Sequence, residues 1–231
     1  MLHIAGIDPG LTGAVAVYDR DADKLIGVWD IPIFKEQVGR TERRRLDMPA
    51  LRDLFTLLQT FDIKLIGIEK VQGWGGKGQS ASAAFQFGYV YSKIESAAEI
   101  AAPVAHARPD VWKMREKVPK DERAIAKMAC EAFPEHAARF AGPKGAPLHD
   151  RAEAALLARY FARRVWPMWS TKGSIDDVEV VDTAKLAAVA KPVGVNFRDQ
   201  HEAVKYLNAL TNKLGLLLND DPAKWQPHVS F

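Results

Sequence analysis

Apolar positions come in short runs at the N-terminus and at helical spacing further along. Residues 2–8, 13–19 and 24–31 read as three consecutive strands, with Pro9-Gly10-Leu11-Thr12-Gly13 and the polar stretch Asp19–Lys24 as the turns between them. Three strands joined this closely form a meander. Residues 33–46 are polar and basic and are expected to form a loop. Asp47 then precedes Pro49, a helix-start pattern, and Leu51, Leu54, Phe55, Leu58 and Phe61 fall on one helical face. Ile63–Glu69 is almost continuously apolar, as a central strand is. The glycines at 73, 75, 76 and 78 mark Gln72–Ser80 as a flexible loop, and an Ala-rich helix is expected from Ala81 to about Ile100.

A short strand at Val104–Arg108 and helices at Pro109–Glu116 and Asp121–Phe133 follow, with Pro134 closing the second helix. After a loop at Gly142–Pro147, His149–Arg164 has the spacing of an amphipathic helix, and Trp166-Pro167 ends the unit. Beyond it lie a strand candidate at Val178–Val181, helical patterns at Asp182–Ala190 and Asp199–Leu214, and a Pro-containing tail. The expected organisation is an α/β domain over residues 1–166 and a small, mainly helical extension over 167–231. A length of 231 residues and 48% hydrophobic content suit one domain with such an extension.

No run approaches the ~18 uninterrupted apolar residues of a membrane span, and the strand-like N-terminus has no basic n-region, so the expectation is a non-membrane, cytoplasmic protein. One cysteine, Cys130, excludes an intrachain disulfide framework and is expected to be a buried structural thiol. The net charge of +3 is unevenly spread. Residues 167–231 hold 7 Lys/Arg against 8 Asp/Glu, which leaves 25 against 21 in residues 1–166. Arg40, Arg43, Arg44 and Arg45 make up much of that excess. Such a run fits a nucleic-acid footprint, and it equally fits a solvated loop without a partner.

The chemistry starts from Asp8, a carboxylate placed where an apolar strand should still be running. A charge buried there without a partner costs several kcal/mol or shifts its pKa. Glu69 ends the 63–69 strand in the same way. Asp150 and Glu153, three apart, share a helix face, and His149 lies on the same side, four before Glu153. Each acid alone has an ordinary explanation: a turn-forming Asp-Pro-Gly, an exposed strand end, a first-turn acid facing the helix dipole. Together they suggest more. In a sheet ordered 3-2-1-4, the first and fourth strands are neighbours, and a helix crossing that sheet would bring Asp150 and Glu153 over Asp8 and Glu69. Clustered carboxylates repel unless cations hold them together, and hard oxygen ligands select Mg²⁺ or Mn²⁺. Two such ions about 3.5–4 Å apart serve phosphoryl transfer.

At these residues the sequence resembles a known family. Gly6-Ile7-Asp8-Pro9-Gly10, Ile68-Glu69-Lys70-Val71 and His149-Asp150-Arg151-Ala152-Glu153-Ala154 are similar, in order and spacing, to the three metal-binding motifs of RuvC-type Holliday-junction resolvases. The resemblance spans roughly residues 2–165. It implies an RNase H-like fold, with a mixed five-stranded sheet whose first three strands are antiparallel, flanked by helices. It implies a homodimer with two Mg²⁺ or Mn²⁺ ions per active site that resolves four-way DNA junctions by paired phosphodiester hydrolysis, and it leaves other branched DNA open as a substrate. Carried over, Asp8 would serve both metals, Glu69 one, and Asp150 and Glu153 the other. Lys113 best matches the lysine that this family places near the scissile phosphate, with Lys120 second. His149 is a candidate metal ligand or water-orienting group. Relatives carry an aromatic wedge three residues after the strand-end glutamate; this chain has Gln72 there, and Trp74 could take that part by stacking on an unpaired base. Lys77, Lys120 and Arg43–Arg45 complete the expected DNA contacts. Glu153 stands where the family commonly has Asp.

Two rivals remain. The first motif also resembles the phosphate loop of actin-like ATPases and sugar kinases, but those need two such domains and no second Asp-rich glycine turn follows residue 166, so no nucleotide cofactor is expected. A non-catalytic scaffold for branched DNA, or a related RNase H-like nuclease with another nucleic-acid substrate, fits the same fold.

Overall fold

The structure, a computed structural model, describes residues 1–70 and 81–172. Strands β1 (His3–Asp8), β2 (Ala14–Asp19) and β3 (Lys24–Asp30) form an antiparallel meander. A two-stranded hairpin, β4 (Ile33–Val38) with β5 (Thr41–Leu46), forms a separate sheet. Strand β6 (Ile63–Glu69) pairs in parallel with β1, and β7 (Val104–Ala107) in parallel with β6, giving the order β3-β2-β1-β6-β7. This is the expected mixed five-stranded sheet, with its first three strands antiparallel.

Among the described residues, six α-helices accompany the sheet: α1 (Met48–Gln59), α2 (Ala81–Ala101), α3 (Pro109–Arg115), α4 (Glu122–Ala132), α5 (His149–Tyr160) and α6 (Trp166–Lys172). Asp47 caps α1 by accepting from the Ala50 N–H, and Asp121 caps α4 through Ala124 N–H. Side chains alternate across β1 and β6. Ala5, Ile7, Ile66 and Ile68 join a core with Leu51, Phe55 and Leu58 of α1 and Val90, Ile94 and Ala98 of α2. The other face carries Gly6 and Asp8 on β1 and Gly67 and Glu69 on β6, and α5 packs there.

Two paired glycines explain how closely α5 and the residues just after it approach. Gly6 lies opposite Gly67 in the β1–β6 register. A Cβ at Gly6 would fall 2.3 Å from the Ala158 backbone nitrogen, and one at Gly67 would fall 2.0 Å from the Phe161 ring. Only hydrogen fits at either place, and glycine alone lets another segment come this close to the backbone. Gly6 seats α5, and Gly67 makes room for the Phe161 ring just beyond it.

The structure corrects four expectations. Residues 33–46 form a hairpin, turned at Gly39 with φ of +61°. The Ile33–Leu46 pair anchors its base, and the Lys35–Glu42 and Arg45–Glu36 ion pairs lie 2.8 and 2.9 Å across it. Helix α5 is not amphipathic past its first turn: every residue from Ala152 to Ala158 is buried, since sheet and α4 cover it on two sides. Nor does the helix end at Trp166-Pro167. A π-helical turn over Phe161–Val165, where the Trp166 N–H donates to the Phe161 carbonyl, carries the helix into α6 and past Pro167, which has no N–H to donate. Cys130 is half-buried rather than buried, with Sγ 3.6 Å from the Ala137 carbonyl. Pro134 closes α4 as expected, by opening a 3₁₀ turn, Pro134–Arg139. The extension from residue 173 lies outside the described residues.

Candidate active site

Asp8 and Glu69 end adjacent parallel strands, one step beyond the Ile7–Ile68 pair, and both point to the α5 face. The first turns of α5 bring Asp150 and Glu153 over them. That helix start is pinned to the sheet by Arg151, whose Nε and Nη2 donate to the two carboxylate oxygens of Asp30 at 2.5 and 2.6 Å. A third bond runs from Arg151 Nη1 to the Arg139 carbonyl at 3.2 Å. Asp8 is 61 residues from Glu69 and 145 from Glu153 along the chain, and strand ends with one seated helix close these separations onto one spot.

Asp8, Glu69 and Glu153 each present a carboxylate oxygen within 4.8 Å of the others. Asp150 stands beside this trio, within hydrogen-bonding reach of Asp8 and of Thr12. The counter-charge comes from α3. Lys113 Nζ lies 2.6 Å from Glu153 Oε2 and 3.5 Å from Glu69 Oε2. Trp112, fully buried, donates its indole N–H to Glu69 Oε2 at 2.8 Å.

One ammonium does not balance these carboxylates. Burial, and then the charges of Glu153, Glu69 and Asp150, hold the Asp8 carboxyl well above its ordinary range against the opposing pull of Lys113. Burial also raises Glu69, although Lys113 and the Trp112 bond oppose it, and burial raises Asp150 despite the nearby His149. For Lys113, burial acts to depress the ammonium, but Glu69, Glu153 and Asp8 outweigh it and the net shift is upward. The site therefore carries more carboxylates than its one ammonium balances, and ionisation of its acids is disfavoured. Hard oxygen donors at this spacing fit a divalent cation such as Mg²⁺ or Mn²⁺, which would relieve the imbalance without protonation.

His149 is not part of the trio: its Nε2 lies 3.3 Å from Asp150 Oδ1 and its Nδ1 3.6 Å from Glu122 Oε2. Lys120 lies between α3 and α4, beside the start of α4. Arg43 and Arg44 are exposed on β5, whereas Arg45 also reaches Gln86 Oε1 on α2 at 3.3 Å. Gln72, Trp74 and Lys77 lie outside the described residues. Three contributors escaped the sequence reading. Trp112 bonds a residue 43 positions away, and Arg151 one 121 positions away, which no local pattern reveals. Thr12 was visible only as part of the turn after Asp8.

Fold and site together give a mixed five-stranded sheet with acidic side chains gathered at the ends of its adjacent parallel strands β1 and β6. No protein-family model matches the sequence, and a search of curated proteins gives no match. Among solved structures, RuvC of Thermus thermophilus is similar at 18% identity and a TM-score of 0.41, over 70% of this chain and 96% of that one. The same protein in complex with a Holliday junction substrate gives 16% identity and a TM-score of 0.42, over 71% and 96%. A yeast mitochondrial Holliday junction resolvase gives 17% and 0.42, over 69% and 77%.

Proposed function

We propose that the protein is a metal-dependent endonuclease of the RuvC type that resolves four-way DNA junctions. The observation that carries this reading is the convergence of Asp8, Glu69 and Glu153, from three distant motifs, with Lys113 against them. Two Mg²⁺ or Mn²⁺ ions per site would be held by Asp8 in common, by Glu69 on one side and by Asp150 and Glu153 on the other. When bound, such ions activate water and offset charge on the leaving oxygen. Lys113 adds a fixed positive charge beside the carboxylates, suited to stabilising a phosphate as its charge develops. His149, with carboxylates at both ring nitrogens, orients Asp150. Arg43 and Arg44, with Lys77 and Lys120, hold the DNA backbone, and Trp74 with Gln72 meets the junction centre. A homodimer would supply the second centre that a paired nick needs; Phe85 and Tyr89 on α2, 71% and 50% exposed, give a second copy an apolar face. The protein would act in the cytoplasm of a bacterial or phage-infected cell.

A mobile four-way junction incubated in Mg²⁺ beside linear duplex, flap and RNA–DNA hybrid tests substrate class. Preferential, paired nicking of the junction is expected. One observation favours a second reading. Lys113 already pairs with two of the carboxylates, as it would in a non-catalytic junction-binding scaffold. Junction binding without cleavage in any divalent ion would select that scaffold.

A further inference from the structure

We propose that Trp112 is a positioning residue that sets the metal affinity of the site by fixing the Glu69 carboxylate; the inference rests on the metal-dependent reading above. A buried indole N–H needs an acceptor, and nearly any carbonyl would satisfy it. Here the acceptor is Glu69 Oε2, at 2.8 Å. The scaffold that delivers it is short and rigid. Glu69 pairs with Ala107 across β6–β7, the Lys70 N–H donates to the Ala107 carbonyl, and α3 starts two residues later. The Trp112 N–H closes the first turn on the Arg108 carbonyl at 3.0 Å. The indole is fully buried and meets the Tyr160 ring with centroids 6.4 Å apart, so its direction is set by packing.

The consequence is a division of labour between the two oxygens of Glu69. Oε2 receives the indole N–H of Trp112 and faces the Lys113 ammonium, both from α3. Oε1 is left as the atom for a cation. A ligating carboxylate held in one orientation by an outer hydrogen bond binds metal more tightly than a free one, and loss of such a partner costs about 10–100-fold in affinity. Lys113 does not replace this effect, because its ammonium is a point charge held closer to Glu153 than to Glu69.

The test is Mn²⁺ binding by calorimetry to the full chain. Wild type is compared with Trp112→Phe and with a protein carrying benzothienylalanine at 112, a tryptophan isostere of the same shape without the N–H. Both variants should bind Mn²⁺ about 10–100-fold more weakly. The Mg²⁺ concentration for half-maximal junction cleavage should rise in parallel. The isostere keeps the packing, so it decides the matter if Trp112→Phe fails to fold. Wild-type affinity in the isostere overturns the role of Trp112. Absence of Mn²⁺ binding by the wild type overturns the metal-dependent reading instead, so the two failures are distinct.

Discussion

The Lys113 ammonium lies 2.6 Å from Glu153 Oε2, with Glu69 Oε2 further off at 3.5 Å. It is the fixed cation of the cluster, and its removal has two effects. In EDTA, Lys113→Met should lower the unfolding free energy by about 1–3 kcal/mol. That is less than the ~3–5 kcal/mol of a fully buried pair, because Lys113 keeps 28% of its side chain exposed. In Mg²⁺, junction cleavage should fall about 10²–10³-fold with junction binding retained. Denaturant melts and single-turnover cleavage read the two effects; wild-type values in both would remove Lys113 from the site.

Asp8 is expected to cost stability in the absence of metal. Its carboxyl is raised in the folded protein by burial and then by Glu153, Glu69 and Asp150. A raised acid holds more protons folded than unfolded, so its ionisation erodes stability as pH rises from its ordinary value of 3.8 through the raised one. Asp8→Asn should therefore be more stable than wild type in EDTA at pH 8, and that advantage should shrink toward pH 5. Adding Mg²⁺ should stabilise wild type and leave the variant little changed. Urea midpoints across this range check the sign; an advantage that grows in acid contradicts the account.

The seating of α5 on Gly6 makes a packing prediction. Gly6→Ala drives a methyl against the α5 backbone at Ala158, which cannot rotate away. Overpacking of this kind costs about 1–3 kcal/mol or more. The start of α5 should also shift, so cleavage should fall more than folding does. A Gly6→Ala protein with wild-type stability and activity would mean that α5 is not seated where described.

The hairpin makes a graded prediction for DNA binding. Arg45 is engaged by Glu36 and Gln86, whereas Arg43 and Arg44 are exposed. Replacing Arg43 and Arg44 with Ala should flatten the dependence of log K on log salt by about two units, and adding Arg45→Ala should change it by less than about one more. An unchanged slope would return the run to a solvated edge without a DNA role.

Most elements were legible in the sequence: the meander and the 63–69 strand from apolar runs, α1 from helical spacing, α2 from its alanines, and β7, α3, α4 and the start of α5 from short patterns bounded by Pro, Asp and Gly. Asp8 and Glu69 were legible because a carboxylate at the end of an apolar strand is out of place without a partner. The hairpin was not, since only Ile33 and Leu46 anchor it and the rest is held by cross-strand charge pairs that read as a polar loop. The continuous burial of α5 was hidden because alanines look neutral until the glycine opposite them is known to seat the helix. The run through Pro167 needed a π-helical turn, which no residue pattern announces. Trp112 was hidden for a different reason: its partner is set by the β6–β7 register, and tryptophan in a short helix reads as core.

If the carboxylates meeting at Asp8 form a metal-dependent nuclease centre for branched DNA, cleavage depends on Asp8 and junction binding does not. The most direct measurement is cleavage of a mobile four-way junction in Mg²⁺ by wild type and Asp8→Asn, with binding of both measured in Ca²⁺. Paired nicks are expected from wild type, none from Asp8→Asn, and similar junction affinity for the two proteins. Equal cleavage by both proteins, or junction binding by wild type with no nicking in Mg²⁺ or Mn²⁺, would contradict such a centre.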